Sequence, residues 1–244
     1  MWWVLRMALA SESGFDHQHT VLRTFLDGAV NGLSVNYGVL ETRRTLLTLY
    51  LDDVASLPMV GLSHDTEVAV WVNAYNACTV RLVLDHRPLT SIKDLDGGKT
   101  WDVARCTVGG KAYTLNEIEN DKLRPIVDGR IHAVLNCAAR GCAPLPPRPV
   151  VPQDLNSQLD TASRRWVASN AVDRSGGRLA LSEIFRWYAA DFDSPGGVVP
   201  LADAAQSGAL RFIAAHGDSA TVTAVLAGTV APSWNPYDWA LNGR

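Results

Sequence analysis

No stretch of this 244-residue sequence approaches the roughly 20 consecutive apolar residues that span a bilayer, so no membrane span is expected. Nor is there a block of basic residues. The 22 Lys and Arg are scattered among 25 Asp and Glu for a net charge of -3, which argues against nucleic acid as a partner. A Gly-x-Gly-x-x-Gly turn and a Gly-x-x-x-x-Gly-Lys-Ser/Thr phosphate loop are both absent, so no nucleotide cofactor, and no cofactor of any kind, is expected. Without Gly-x-Ser-x-Gly there is no ordinary serine-hydrolase elbow. Without Cys-x-x-Cys there is no thioredoxin-like redox motif. A phosphatase-like loop built on Cys137 would place arginine at position 143, which is Ala.

With 47% hydrophobic and 19% charged residues, the composition is that of an ordinary globular protein long enough for one large core. The eight tryptophans mostly sit in amphipathic or apolar surroundings, which points to core and cleft lining. Residues 1–16 are set apart as a flexible or docked N-terminal segment. The stretch from Met1 to Ala10 ends in Ala-x-Ala, but it is short and carries Arg6 where a standard secretory signal would not, so exported and cytoplasmic locations both stay open.

Helical periodicity covers residues 17–31 and 41–55, with a short extended piece at 32–38 between them. Ser63 is read as the cap of a long helix reaching about Leu84, with Asp65 and Glu67 in its first turn. Gly109-Gly110 reads as the turn of a hairpin, and Thr114 with Glu117 as a capping box. Helices are expected over 153–169, 182–191 and about 198–215, a hairpin around Gly176-Gly177 and a strand at 221–226. Helices and short strands in groups give an α+β class: a single domain over 17–244, its helices packed on a small, mainly antiparallel sheet. Cys78 and Cys106 fall in a helical and a strand pattern, and both are read as small buried hydrophobes.

Reactive side chains cluster only between Arg130 and Cys142, in Arg130-Ile-His132-Ala-Val-Leu-Asn136-Cys137 and on to Cys142. Ile131–Leu135 reads as a strand, which puts His132 and Cys137 on opposite faces about 16 Å apart. Cys137 and Cys142 are close enough in sequence to close a small loop. Zinc on His132, Cys137 and Cys142 would lack its remaining ligands at usual spacing, and no metal is expected. Asn73 and Asn76 share one face of an otherwise apolar helix. They must be bonded, either to neighbouring loop backbone or as the wall of a polar cleft.

Several stretches in order resemble the domain-of-unknown-function-547 family. They are Trp71-Val-Asn-Ala-Tyr-Asn76, Ile118-Glu119 with Leu123-Arg124, Arg130-Ile-His132 through Cys142-Ala-Pro144, Ile184-Phe-Arg-Trp-Tyr188 with Asp191-Phe192, and Tyr237 to Asn242. The resemblance spans roughly residues 20–242, with Ala133 in place of the usual aromatic and Ala143 in place of the usual proline. It implies a fold shared with bacterial proteins, often exported, and with plant proteins carrying a leucine-zipper segment. No particular reaction comes with it. Two readings follow. One is a cysteine-dependent hydrolase or acyltransferase on a small molecule or peptide, with Cys137 or Cys142 as nucleophile, His132 as base and Glu119 or an Asn orienting it. In this reading Asn73, Tyr75, Asn76, Arg124 and Arg130 bind substrate. The other is a non-catalytic binding or scaffold domain, in which His132, Glu119, Arg124 and Arg130 form a structural network beside an inert or disulfide-bonded cysteine pair.

Overall fold

The longest helix, α4 (His64–Asp85), is the axis of the molecule, and its sequence explains why it forms. Ser63 accepts the Thr66 amide at 3.3 Å, and Asp65 and Glu67 occupy the positive end of the helix dipole. From Val68 to Val80 every side chain is buried, as in a helix covered on all sides. The structure is a computed structural model that describes residues 14–175, 179–192, 204–226 and 232–244. The expected N-terminal segment up to residue 13, the Gly176-Gly177 turn and residues 198–203 lie outside these.

Around α4 pack α1 (Thr20–Leu26), the short hairpin β1 (Val30–Asn31) with β2 (Ser34–Val35), α2 (Tyr37–Thr42) and α3 (Arg44–Ser56). The expected second hairpin is β3 (Cys106–Val108) with β4 (Lys111–Tyr113), in antiparallel register. Its turn glycines have φ of +58° and +79°, and a Cβ on Gly109 would meet Met59 at 2.7 Å. The Thr114 capping box starts α5 (Leu115–Glu117), which widens into a π-helical turn over Ile118–Leu123. Beyond lie α6 (Leu155–Val167), β5 (Val172–Asp173), β6 (Ala180–Ser182), α7 (Glu183–Trp187), α8 (Ala204–His216), α9 (Ser219–Leu226) and β7 (Ser233–Asn235). β5 and β6 are antiparallel, while β6 and β7 run parallel. The class is α+β as expected, with the strands divided among three small, mainly antiparallel sheets among the described residues. Among these residues, no helix is long and apolar enough to cross a membrane.

Three local expectations are corrected. Residues 221–226 are helical, because Asp218 accepts the Thr221 amide at 2.7 Å and starts a turn that the β-branched Thr and Val residues then continue. Ile131–Leu135 is not a strand: Asp128 caps a 3₁₀ turn over Gly129–Ala133, accepting the Arg130 amide at 3.0 Å. Strand parity therefore does not separate His132 from Cys137. Cys78 and Cys106 are not independent buried thiols but a disulfide that ties α4 to β3.

The core has two parts, one around α4 and one around Trp166, Phe185 and Phe192. The segment that follows the 3₁₀ turn runs along their seam. Val134, Leu135 and Ala138 belong to the first part, while Ala133 and Ala143 are fully packed in the second. Small residues at these two positions let the chain pass between the cores.

Candidate functional site

Where that seam reaches the surface, a cavity of about 350 Å³ opens, within the size range of small-ligand sites. Tyr75, Glu119, His132, Cys137 and Cys142 line it, together with an aromatic wall of Trp101, Trp187, Tyr188, Tyr237 and Trp239. The strand reading had put Cys137 and His132 far apart, yet they share this cavity.

Backbone conformation aims the thiol. Ala138, directly after Cys137, has φ of +63°. A left-handed alanine is unfavourable by about 1–2 kcal/mol and persists only where its surroundings impose it. Asn136 does so from one side: its Oδ1 accepts from the Ala138 amide at 3.0 Å and its Nδ2 donates to the Ala143 carbonyl at 2.8 Å. The C-terminal tail does so from the other, with the Asn242 amide donating to the Ala138 carbonyl at 2.9 Å.

Cys137 Sγ, half-buried, lies 2.9 Å from Cys142 Sγ and 3.0 Å from the Tyr237 hydroxyl. The hydrogen bond between Cys137 and Cys142 holds the Cys137 thiol below its ordinary pKa against the opposing effect of burial, helped by Tyr237 and the Ala139 amide. Burial pushes Cys142 and Tyr237 the other way. The Cys137 sulfur is thus the member of this trio whose anionic form its neighbours favour. Gly141 permits this approach, since a Cβ there would lie 2.8 Å from the Tyr237 ring.

The facing wall is charged. Glu119 is brought inward by the π-helical turn and is 7% exposed. It accepts from the Tyr75 hydroxyl at 3.3 Å, and its Oε1 stands 3.8 Å from His132 Nδ1. His132 Nε2 bonds Asp191 at 2.8 Å, and the imidazole stacks on Tyr188 at 4.2 Å. Arg124 grips Asp191 with two nitrogens, at 2.6 and 2.9 Å, and lies over the Tyr188 ring. Burial alone would raise the Asp191 carboxyl, but the bonds from His132 and Arg124 outweigh it and bring its pKa down to about 2. At neutral pH that carboxylate can only accept, so His132 carries its proton on Nε2.

A folded-state pKa below the unfolded value of about 3.9 gives stability that is full above about pH 4 and lost as pH falls toward 2. Asp191→Asn is therefore expected to unfold with about 2 kcal/mol less free energy than wild type at pH 6. The difference should shrink toward zero near pH 2 in urea titrations, and a pH-independent difference would contradict this account of the carboxyl.

The other residues singled out from the sequence are engaged elsewhere. Asn73 exchanges two hydrogen bonds with the Val150 backbone, at 2.7 and 2.9 Å. Asn76 donates to the Val134 carbonyl and accepts from the Asn136 amide, at 2.8 and 2.9 Å. Both amides thus hold loop backbone behind the cavity. Tyr75 reaches the cavity instead, because at 100° per residue it points away from the face the two asparagines share. Arg130 is tied to Asp128, Asp160 and Asn156, which pins the 3₁₀ turn to α6. Asp191 and Tyr237 were given no role from the sequence, although both stand in stretches that carried the family resemblance. Their distance along the chain from Cys137 hid the contact.

Fold and site together define an α+β domain with a dithiol and a His–carboxylate–Arg cluster at one aromatic-walled cavity. The stretch of residues 59–167 matches the family described as "Protein of unknown function, DUF547". It supplies Tyr75, Glu119, His132 and both thiols, whereas Tyr188, Asp191 and Tyr237 lie beyond it. No curated protein and no solved structure matches the chain.

Proposed function

We propose that the cavity carries out thiol-dependent acyl chemistry, as a hydrolase or acyltransferase acting on a small molecule or peptide. The observation that supports this most is the Cys137 sulfur, set into the cavity wall by a left-handed Ala138 and kept toward thiolate by Cys142 and Tyr237. Cys137 Sγ bonds to the acyl carbon while the bond to the leaving group breaks. The leaving oxygen or nitrogen takes up a proton from water, and His132, held by Asp191 through Nε2, has Nδ1 free to act as base toward the group that attacks next. Water or an acceptor hydroxyl or amine then attacks the thioester and restores the thiol. The disulfide between Cys78 and Cys106 supports placing the protein in an oxidising compartment.

The scaffold reading draws support from the dense pairing among Glu119, His132, Asp191 and Arg124. One experiment separates the two. Incubated with p-nitrophenyl acetate, the native protein is expected to release nitrophenolate and carry one acetyl group on Cys137, with the reaction at least tenfold slower in Cys137→Ser. Alkylation by iodoacetamide is expected to titrate below the usual thiol value of about 8.5. An unacetylated Cys137, or alkylation no faster than that of a free thiol near neutral pH, would favour the scaffold.

A further inference from the structure

Acyl chemistry needs one thiol, and the cavity wall holds two. Cys137 and Cys142 both line it with their sulfurs 2.9 Å apart, Cys137 half-buried and Cys142 only 5% exposed. The Cys137 amide also points at Cys142 Sγ, at 2.9 Å, so the second sulfur lies within the first residue's own turn. That turn is closed by the Cys142 amide on the Ala139 carbonyl and by Asn136 on the Ala143 carbonyl. The two sulfurs are therefore already neighbours, and closing the bond shortens their separation to about 2.05 Å.

We propose that Cys137 and Cys142 form a dithiol–disulfide couple that exchanges with peptide or low-molecular-weight disulfides entering the cavity, Cys137 attacking and Cys142 resolving. In the first step Cys137 thiolate displaces one thiolate from the substrate disulfide, forming a mixed disulfide. Cys142 then loses its proton and attacks Cys137 Sγ, displacing the second substrate thiolate and closing the Cys137–Cys142 bond. Overall one disulfide is reduced to two thiols while two protein thiols become one disulfide, and the exchange is reversible. The order of attack follows from the surroundings. Cys137 is the more exposed residue and has the thiolate-stabilising neighbours, whereas burial keeps Cys142 protonated until the mixed disulfide forms. The exchange does not compete with Cys78 and Cys106, which are already bonded to each other in the α4 core.

The test mixes the pre-reduced native protein, with Cys78–Cys106 intact, with oxidised glutathione. Peptide mass mapping is expected to show a short-lived glutathionyl group on Cys137, then a Cys137–Cys142 link and two glutathione thiols released per chain. In Cys142→Ser the reaction should stop at the Cys137 adduct. The wild-type time course gives the same order of events without relying on the variant's folding. A first adduct on Cys142, a wild-type adduct that never resolves, or two free thiols after equilibration would each overturn the proposal. Acetylation of Cys137 by the ester is read without any disulfide present, so failure of the exchange and failure of the acyl chemistry are told apart.

Discussion

Replacement of both Cys78 and Cys106 by alanine is expected to lower the unfolding free energy by about 3–4 kcal/mol, measured by guanidinium denaturation at neutral pH. The bridge closes a loop with a sequence separation of 28, and the loss of chain entropy in the unfolded state for a loop of that length accounts for about 3.5 kcal/mol. Native packing around it adds to the effect. Cys106 is 1% exposed and Cys78 8%, and the bonded pair joins α4 to the hairpin β3–β4, whose first strand packs against both α3 and α4. Without the bridge the hairpin keeps its three-residue strands and the bonds of the Gly109 and Gly110 amides to the Val54 and Ala55 carbonyls, and strands of that length are marginal by themselves. Reduction of the wild type should reproduce the loss. A change under about 1 kcal/mol in both experiments would mean that packing alone fixes the hairpin.

The bridge was not legible in the sequence, and the reason is physical. Its partners lie in elements of different type, and the same apolar surroundings that bury a disulfide also suit two inert thiols. Signals confined to a few residues were read correctly: the Ser63 cap, the Gly109-Gly110 turn and the Thr114–Glu117 capping box all form as expected. Short apolar runs were the weak point. Ile131–Leu135 carries no period long enough to separate strand from turn. The deciding residues were Asp128, which caps the turn, and Gly129, where a Cβ would lie 2.5 Å from the Phe192 ring. Asp218 plays the same part for residues 221–226, and an Asp three positions before Thr221 was the available signal.

For the site, the residue types were legible and their grouping was not. Glu119, His132 and the two cysteines meet at one cavity, but only because α7, the turn ending at Phe192 and the C-terminal tail close over them. Asp191 reaches His132 across 59 positions and Tyr237 reaches Cys137 across 100, contacts that no local pattern encodes. The tail is held there by backbone bonds from Arg140 and Gly141 to the Ala240 and Asp238 carbonyls, which bind the thiol loop to the last residues of the chain.

Asn76→Ala is expected to cost about 3–5 kcal/mol and to loosen the thiol loop. Asn76 is 8% exposed and its amide satisfies two backbone groups, the Val134 carbonyl and the Asn136 amide, on the segment between the two cores. Removing the partner of a buried polar group costs about 1–3 kcal/mol for each group left unpaired, and truncation of the side chain adds a small void. The loss does not stop there. Asn136 is held by its amide to Asn76 and by its side chain to Ala138, Ala143 and Asn242, while Asn242 in turn accepts from the Tyr37 hydroxyl at 2.7 Å. This chain of bonds carries the order of α4 to the left-handed Ala138 and hence to the direction of Cys137. Amide exchange at Asn136 and Ala138 should accelerate in the variant, and alkylation of Cys137 should slow as its thiolate-stabilising neighbours drift. Asn76→Asp keeps an acceptor for the Asn136 amide but sets a carboxylate oxygen against the Val134 carbonyl, so it should not restore stability at neutral pH. A loss below about 1 kcal/mol with unchanged exchange at Asn136 would show that the loop holds its conformation without the helix.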